Sequence, residues 1–113
     1  MAIKYYVAEE QRKVIAVLSD TRYDVVQKID KLMRDTKFCA CSEKYLMPNM
    51  FRVEVAADEE DAFNVEIGKQ VAKKRLMERY YRAYDKRMGK FLVDFVKMQA
   101  KILEYCNSRV ENT

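Results

Sequence analysis

Histidine is absent from this chain of 113 residues. Its absence removes the commonest general base near neutral pH, the commonest metal ligand, and every Ser-His or Cys-His nucleophile. Glycine occurs twice and proline once, which leaves little material for tight turns and predicts that helix dominates. No G-x-x-x-x-G-K-[ST] or G-x-G-x-x-G run is present, so a phosphate cradle of either kind is excluded. No apolar run approaches the ~18 residues a membrane span needs. Met1-Ala2-Ile3 runs directly into Lys4, with no secretory signal. Cysteine is sparse and odd in number: Cys39, Cys41 and Cys106 read as reduced thiols in a cytoplasmic protein. Cys39-x-Cys41 is not a redox C-x-x-C, and the three sulfurs fall one short of a structural zinc set. The expectation is a non-enzyme with no catalytic residue, no cofactor and no metal.

What is there is an ordinary globular balance, half hydrophobic and 35% charged, which excludes general disorder. The length suits one domain, 1–113, with a core of its own. The net charge of +4 hides an asymmetry. Residues 1–68 carry ten basic and thirteen acidic side chains, a balance of −3, whereas residues 69–113 carry twelve and five, a balance of +7.

The first half, residues 1–57, reads as hairpin, helix and strand. Ile3–Ala8 and Val14–Leu18 are β-branched or aromatic runs separated by a polar loop, a hairpin signal. The second run is apolar on both faces, which places it centrally in a sheet. Ser19-Asp20-Thr21 offers N-cap side chains, with Asp24 three places after Thr21. Val25, Val26, Ile29, Leu32 and Met33 then form the stripe of an amphipathic helix ending near Asp35. Phe38–Cys41 and Tyr45–Met47 read as short strands, with Pro48-Asn49 as a turn. Phe51, Val53 and Val55 alternate with polar neighbours in a half-buried strand. The β-β-α-β-α order predicts an α+β fold, an antiparallel sheet with helices on one face.

The second half, 58–113, is dominated by one helix from Asp61 to about Val110. The two glycines, Gly68 and Gly89, are the places where it would kink or break. Asp58-Glu59-Glu60-Asp61 suits the positive end of its dipole, and a divalent-cation site is the sharper alternative. Met77, Tyr81, Tyr84, Met88, Phe91, Phe95, Met98, Ile102 and Tyr105 step four and three without a slip, an apolar seam. A helix of ~40 residues spans about 60 Å, and a small sheet covers about a third of that. Either the helix folds back at Gly89 or a second chain covers the rest. The expectation is a homodimer sealed through Met88, Phe91, Phe95, Met98, Ile102 and Tyr105.

Basic residues line another face of the same helix. Lys69, Lys73, Arg75, Arg79, Arg82, Lys86 and Lys90 are candidate contacts to nucleic acid or to an acidic partner, with Lys74 and Arg87 beside them. Tyr80, Tyr81 and Tyr84 are interleaved, where bases could stack or where a core could form. The bland reading is a solvated helix face.

The run Phe63-Asn64-Val65-Glu66-Ile67-Gly68-Lys69-Gln70-Val71-Ala72-Lys73-Lys74-Arg75 follows a strand and an acidic cluster. Over 58–75 it resembles small phage and prophage accessory proteins of Gram-positive bacteria, in which a Phe-Asp/Asn turn leads into a helix with Gly and Ala four residues apart. Phe63, Asn64, Gly68 and Ala72 hold the matching positions. The resemblance implies a mobile-element accessory protein, a class that includes DNA-handling proteins and stoichiometric inhibitors of host defence such as anti-CRISPR proteins. It supplies no site residues. Physically, Gly68 and Ala72 predict close packing of the helix start on the sheet, with Phe63 as a staple.

Overall fold

Val14, Ala16 and Leu18 are almost wholly buried, whereas Ile15 and Val17 between them are half-buried. That alternation is the pleat of a central strand with one face against a core. In the computed structural model, which describes residues 2–34, 43–58 and 62–111, this strand is β2, Lys13–Ser19. It pairs antiparallel with β1, Ile3–Ala8, and with β3, Met50–Ala56, giving the sheet order β1-β2-β3. The register sets Tyr5 and Val53 on either side of Ala16, and Ile3 and Phe51 on either side of Leu18. The turn from β1 to β2 is a single 3-10 turn, Glu9–Gln11, closed by Arg12 in the left-handed region at φ 53°. The other face of the sheet carries Lys4, Tyr6, Arg52 and Glu54, the last two ion-paired along β3.

Two helices cover the inner face, in the α+β arrangement the element order implies. Helix α1, Asp24–Leu32, buries Val25 and Ile29 completely. It stops three residues short of the expected Asp35, which lies outside the described residues. Thr21 is not its side-chain cap. The Thr21 hydroxyl instead donates to the Pro48 carbonyl at 2.5 Å, and the Met47 amide donates to the Arg22 carbonyl at 2.8 Å. A long-range tether has displaced the local cap, and it fixes the start of α1 against the segment leading into β3. Tyr45–Met47, expected as a strand, begins in a 3-10 turn, Glu43–Tyr45, with the Tyr45 ring packed against Phe91 and not across to a strand partner. The expected strand at Phe38–Cys41 lies outside the described residues.

Helix α2 runs from Val65 to Glu111, 47 residues without interruption, and makes the molecule 78 Å long but only 24 by 18 Å across. It starts at Val65 and not at Asp61, because Asn64 supplies the cap: its Oδ1 accepts the Ile67 amide at 3.2 Å. Asp58 is therefore six residues ahead of the cap, and Glu59–Asp61 lie outside the described residues. Neither glycine breaks the helix. At Gly68 a Cβ would meet the Val14 Cγ2 at 2.7 Å, so the missing side chain is what lets α2 descend onto β2. Ala72, next along the same line, is fully buried, as the Gly-Ala spacing implied. Phe63 packs at the edge of the core but has no apolar partner at Gly68, so it is not a staple in the strict sense.

Candidate interaction surface

The side of α2 that meets the body is the line Gly68, Ala72, Leu76, Tyr80, Arg87 and Phe91. The 4-3 seam expected from the sequence meets this line at Phe91, and Met77, Tyr84, Met88 and Phe95 pack against the core beside it, whereas Tyr81 stands open. Tyr80, not Tyr81, is the buried tyrosine, at 4% exposure against 47%. Its ring meets Phe51 edge-on at 5.6 Å and its hydroxyl donates to Asp24 of α1 at 2.5 Å. Tyr81 and Tyr84 complete a cluster around it, with centroids 5.2 and 5.9 Å from the Tyr80 ring. The interleaved tyrosines thus form an aromatic brace centred on Tyr80, of which Tyr81 is the exposed member.

Further along, residues 43–47 clamp the helix. Tyr45 packs edge-on against Phe91 at 5.5 Å, and its hydroxyl donates to Asp94 at 2.7 Å. Lys44 lies 3.8 Å from the same carboxylate. Arg87 donates from Nε to the Leu46 carbonyl at 2.7 Å and from Nη1 to the Ala83 carbonyl at 3.0 Å. The pairing of Tyr45 with Asp94 joins residues 49 positions apart and leaves no signal in the sequence.

These bonds polarise the groups that make them. Burial, then the hydrogen bond to Asp94, pushes the Tyr45 phenol up to about 12. Burial and the bond to Asp24 push Tyr80 up further, and burial raises Tyr84 as well. The Tyr45 hydroxyl, against a smaller opposing effect of burial and with help from Lys44, holds Asp94 below the usual carboxylate range. The fold therefore favours neutral phenols. The contribution of the Tyr45 phenol to stability is complete below the ordinary tyrosine pKa of about 10 and is lost as pH rises through 12. A melting series from pH 8 upward should show this fall, and Tyr45→Phe should flatten it. Tyr80→Phe should cost about 1–2 kcal/mol at neutral pH in urea unfolding, since it leaves the Asp24 carboxylate without its donor.

Asp94 is the last residue of α2 held by a described hydrogen bond to another element, and Phe95 the last that packs against the core. From Val96 to Glu111 every residue is exposed. Sixteen residues of helix thus project about 24 Å beyond the body. At 100° per residue, Phe95, Ile102, Cys106, Leu92, Leu103 and Val110 fall within a third of the circumference, and Met98, Tyr105 and Val96 widen that arc to about half. Lys97, Lys101, Glu104 and Ser108 occupy the opposite side. Leu103 is 64% exposed and Val110 74%. Of the seam residues expected to meet a second chain, Met88, Phe91 and Phe95 pack on the chain's own core, whereas Met98, Ile102 and Tyr105 stand open.

The basic residues divide as well. Arg75, Arg79, Arg82, Lys86 and Lys90 follow one line of exposed positions, about half a turn around the helix from the apolar arc. Arg79 is engaged, donating from Nη1 to the Arg52 carbonyl of β3 at 3.2 Å. Lys69 sits 5.7 Å above the Tyr5 ring, and Lys69 and Lys73 lie roughly 100° or more away from the line. The residues brought together are Arg75, Arg82, Lys86 and Lys90.

An apolar cleft of about 440 Å³ lies between the end of β3 and the start of α2, lined by Val55, Phe63, Ile67 and Val71 with Asp58 at its margin. Among the described residues no three acidic or thiol side chains converge as metal ligands, and no helix is long and apolar enough to cross a membrane. No family model, no curated protein and no solved structure matches this chain.

Proposed function

We propose that this chain is a non-enzymatic interaction protein that acts in the cytoplasm. In this reading it binds a macromolecular partner through the projecting end of α2, where it also pairs with a second copy of itself. The observation that carries this reading is the sixteen-residue run of exposed helix with an apolar half. Leu92, Val96, Ile102, Leu103 and Val110 are each more than half exposed on that side, a contiguous apolar patch of the kind that marks an interaction site. The segment that resembles phage and prophage accessory proteins fits the same role, including that of a stoichiometric inhibitor of host defence. Such proteins act by occupying a partner, for which an exposed helix and no acid-base site suffice. The test is Ile102→Glu with Leu103→Glu, which should abolish self-association and leave the body folded; unchanged association would overturn the reading.

A second reading, nucleic-acid binding, is favoured by the alignment of Arg75, Arg82, Lys86 and Lys90 on one exposed line. Its test leaves Arg79 alone, because that side chain also holds β3. Labelled single- and double-stranded DNA would be titrated across a salt series with the wild type and with Arg75→Glu, Arg82→Glu and Lys86→Glu combined. The reading predicts micromolar binding by the wild type. For the variant it predicts a loss of tenfold or more and a log-log salt slope lower by about 3. Equal binding by both proteins would reduce the line to a solvated face.

A further inference from the structure

We propose that the free edge of β3 takes up an extended peptide as a fourth strand, with its inward side chains seated in the cleft beside the start of α2. The direction of the backbone groups follows from two hydrogen bonds. The Ala57 amide donates to the Arg12 carbonyl, just before β2, at 3.0 Å. The Arg52 carbonyl accepts Arg79 of α2 at 3.2 Å. In an antiparallel ladder the amide and carbonyl of one residue point the same way, and the direction alternates along the strand. Phe51, Val53 and Val55 therefore face β2, whereas Arg52, Glu54 and Ala56 face outward. Among the described residues no backbone group pairs with the outward amides and carbonyls of Glu54 and Ala56.

The cleft lies on this open side. Gly68 faces Val14 of β2, and Lys69, one 100° step ahead, stands over Tyr5 of β1. Ile67 is one step the other way and Val71 about 60° that way, so both turn toward β3 and overhang its edge. With Val55 and Phe63 they line the cleft. A strand bonded to Glu54 and Ala56 sets the residue between those two pairs beside Val55, on the inner face, because side chains alternate. Main-chain bonds along an edge, with a pocket for alternate side chains, are the two parts of strand addition. The edge of β1 is guarded by the Lys69 charge at Tyr5, whereas Met50–Ala56 holds no lysine or proline.

Charge selects the occupant. Asp58 stands at the margin of the cleft where β3 ends, and Arg79 at the other end of the edge. An antiparallel strand, the better-bonded orientation, brings its N-terminal end to Asp58. The partner is therefore a protein segment of alternating apolar residues with basic residues before them.

The probe is a fluorescein-labelled peptide, Lys-Lys-Val-Thr-Leu-Thr-Val, titrated with the full chain and read by fluorescence polarisation. Its leucine falls beside Val55 and its threonines opposite Glu54 and Ala56. Micromolar binding is expected, and no binding up to about 1 mM overturns the proposal. Methylating both threonine amide nitrogens removes the donors that meet β3 and should weaken binding tenfold or more. Equal affinity for the methylated peptide overturns strand addition. Ile67→Glu places a carboxylate in the cleft at a residue 58% exposed, so the urea midpoint should hold while affinity falls tenfold or more. Undiminished binding by that variant overturns the seat in the cleft. Asp58→Lys should weaken this peptide and favour one that begins Glu-Glu; no change with either overturns the choice of a basic partner. Ile102→Glu with Leu103→Glu should bind as the wild type does. A loss there puts the peptide on the projecting helix and overturns the edge site.

Discussion

Gly68→Leu should lower the unfolding free energy by about 3 kcal/mol, the upper range for overpacking a filled core. The site has no room: an added Cβ would stand 2.7 Å from the Val14 Cγ2 and 3.4 Å from its Cβ. Val14 is wholly buried at the centre of the sheet and is β-branched, so its χ1 does not yield cheaply. The helix must lift from β2, and the contacts of Ala72 and Leu76 weaken with it. Gly68→Ala should be milder, because the clash is offset by the roughly 1 kcal/mol that alanine adds to a helix interior. Gly89→Ala supplies the comparison. A Cβ there meets nothing within 4 Å, so that change should stabilise by about 0.5–1 kcal/mol. Urea midpoints moving in opposite directions for Gly68→Leu and Gly89→Ala support the seat of α2 on β2. Movement in the same direction would contradict it.

Ile102→Glu with Leu103→Glu should convert the proposed dimer to a monomer at any practical concentration. Each chain loses two large apolar groups worth about 1.5–3 kcal/mol apiece when buried, and each gains two carboxylates in the seam. Counted over both chains, the loss exceeds 4 kcal/mol, a weakening of about a thousandfold or more. The body should hardly notice. Both side chains are more than half exposed and lie beyond Phe95, so monomer stability should change by under about 0.5 kcal/mol. Thermal unfolding separates the two effects. The wild-type midpoint should rise with protein concentration, and the variant's should not.

Most of the fold was legible because local rules and tertiary packing agree along much of the chain. The run Val14–Leu18, apolar at every position, marked a central strand, and the pairing with β1 and β3 is what that pattern demands. Gly68 and Ala72, four apart on a helix, marked a close approach, and Val14 lies beneath them. The misreadings occur where distant residues compete for a local role. Thr21 has the side chain of a cap, but Pro48 takes its hydroxyl. Tyr45 sits in a short apolar run that reads as a strand, but Phe91 and Asp94 draw it onto α2. The start of the 4-3 seam was offset from the main contact line because the body follows i to i+4 steps through Ala72, Leu76 and Tyr80, and the two meet at Phe91. Asn64 was readable in principle: it stands immediately before a helical run, where an amide side chain caps.

The candidate surface was partly visible for a related reason. The excess of apolar seam over available sheet follows from length alone. Where the seam passes from core to open surface depends on the clamp at 43–47, and the bond between Tyr45 and Asp94 has no counterpart in local pattern. The basic line was visible by spacing. That Arg79 is tied to β3 and Lys69 to Tyr5 could emerge only once the sheet was placed.

The projecting end of α2 is proposed as an interaction surface that first meets its own copy. The most direct test is the mass of the intact, reduced chain by light scattering over a hundredfold range of concentration. Twice the chain mass of 13.5 kDa is expected at the upper end, falling toward the single mass on dilution. A single-chain mass throughout, with the helix intact by circular dichroism, would contradict it.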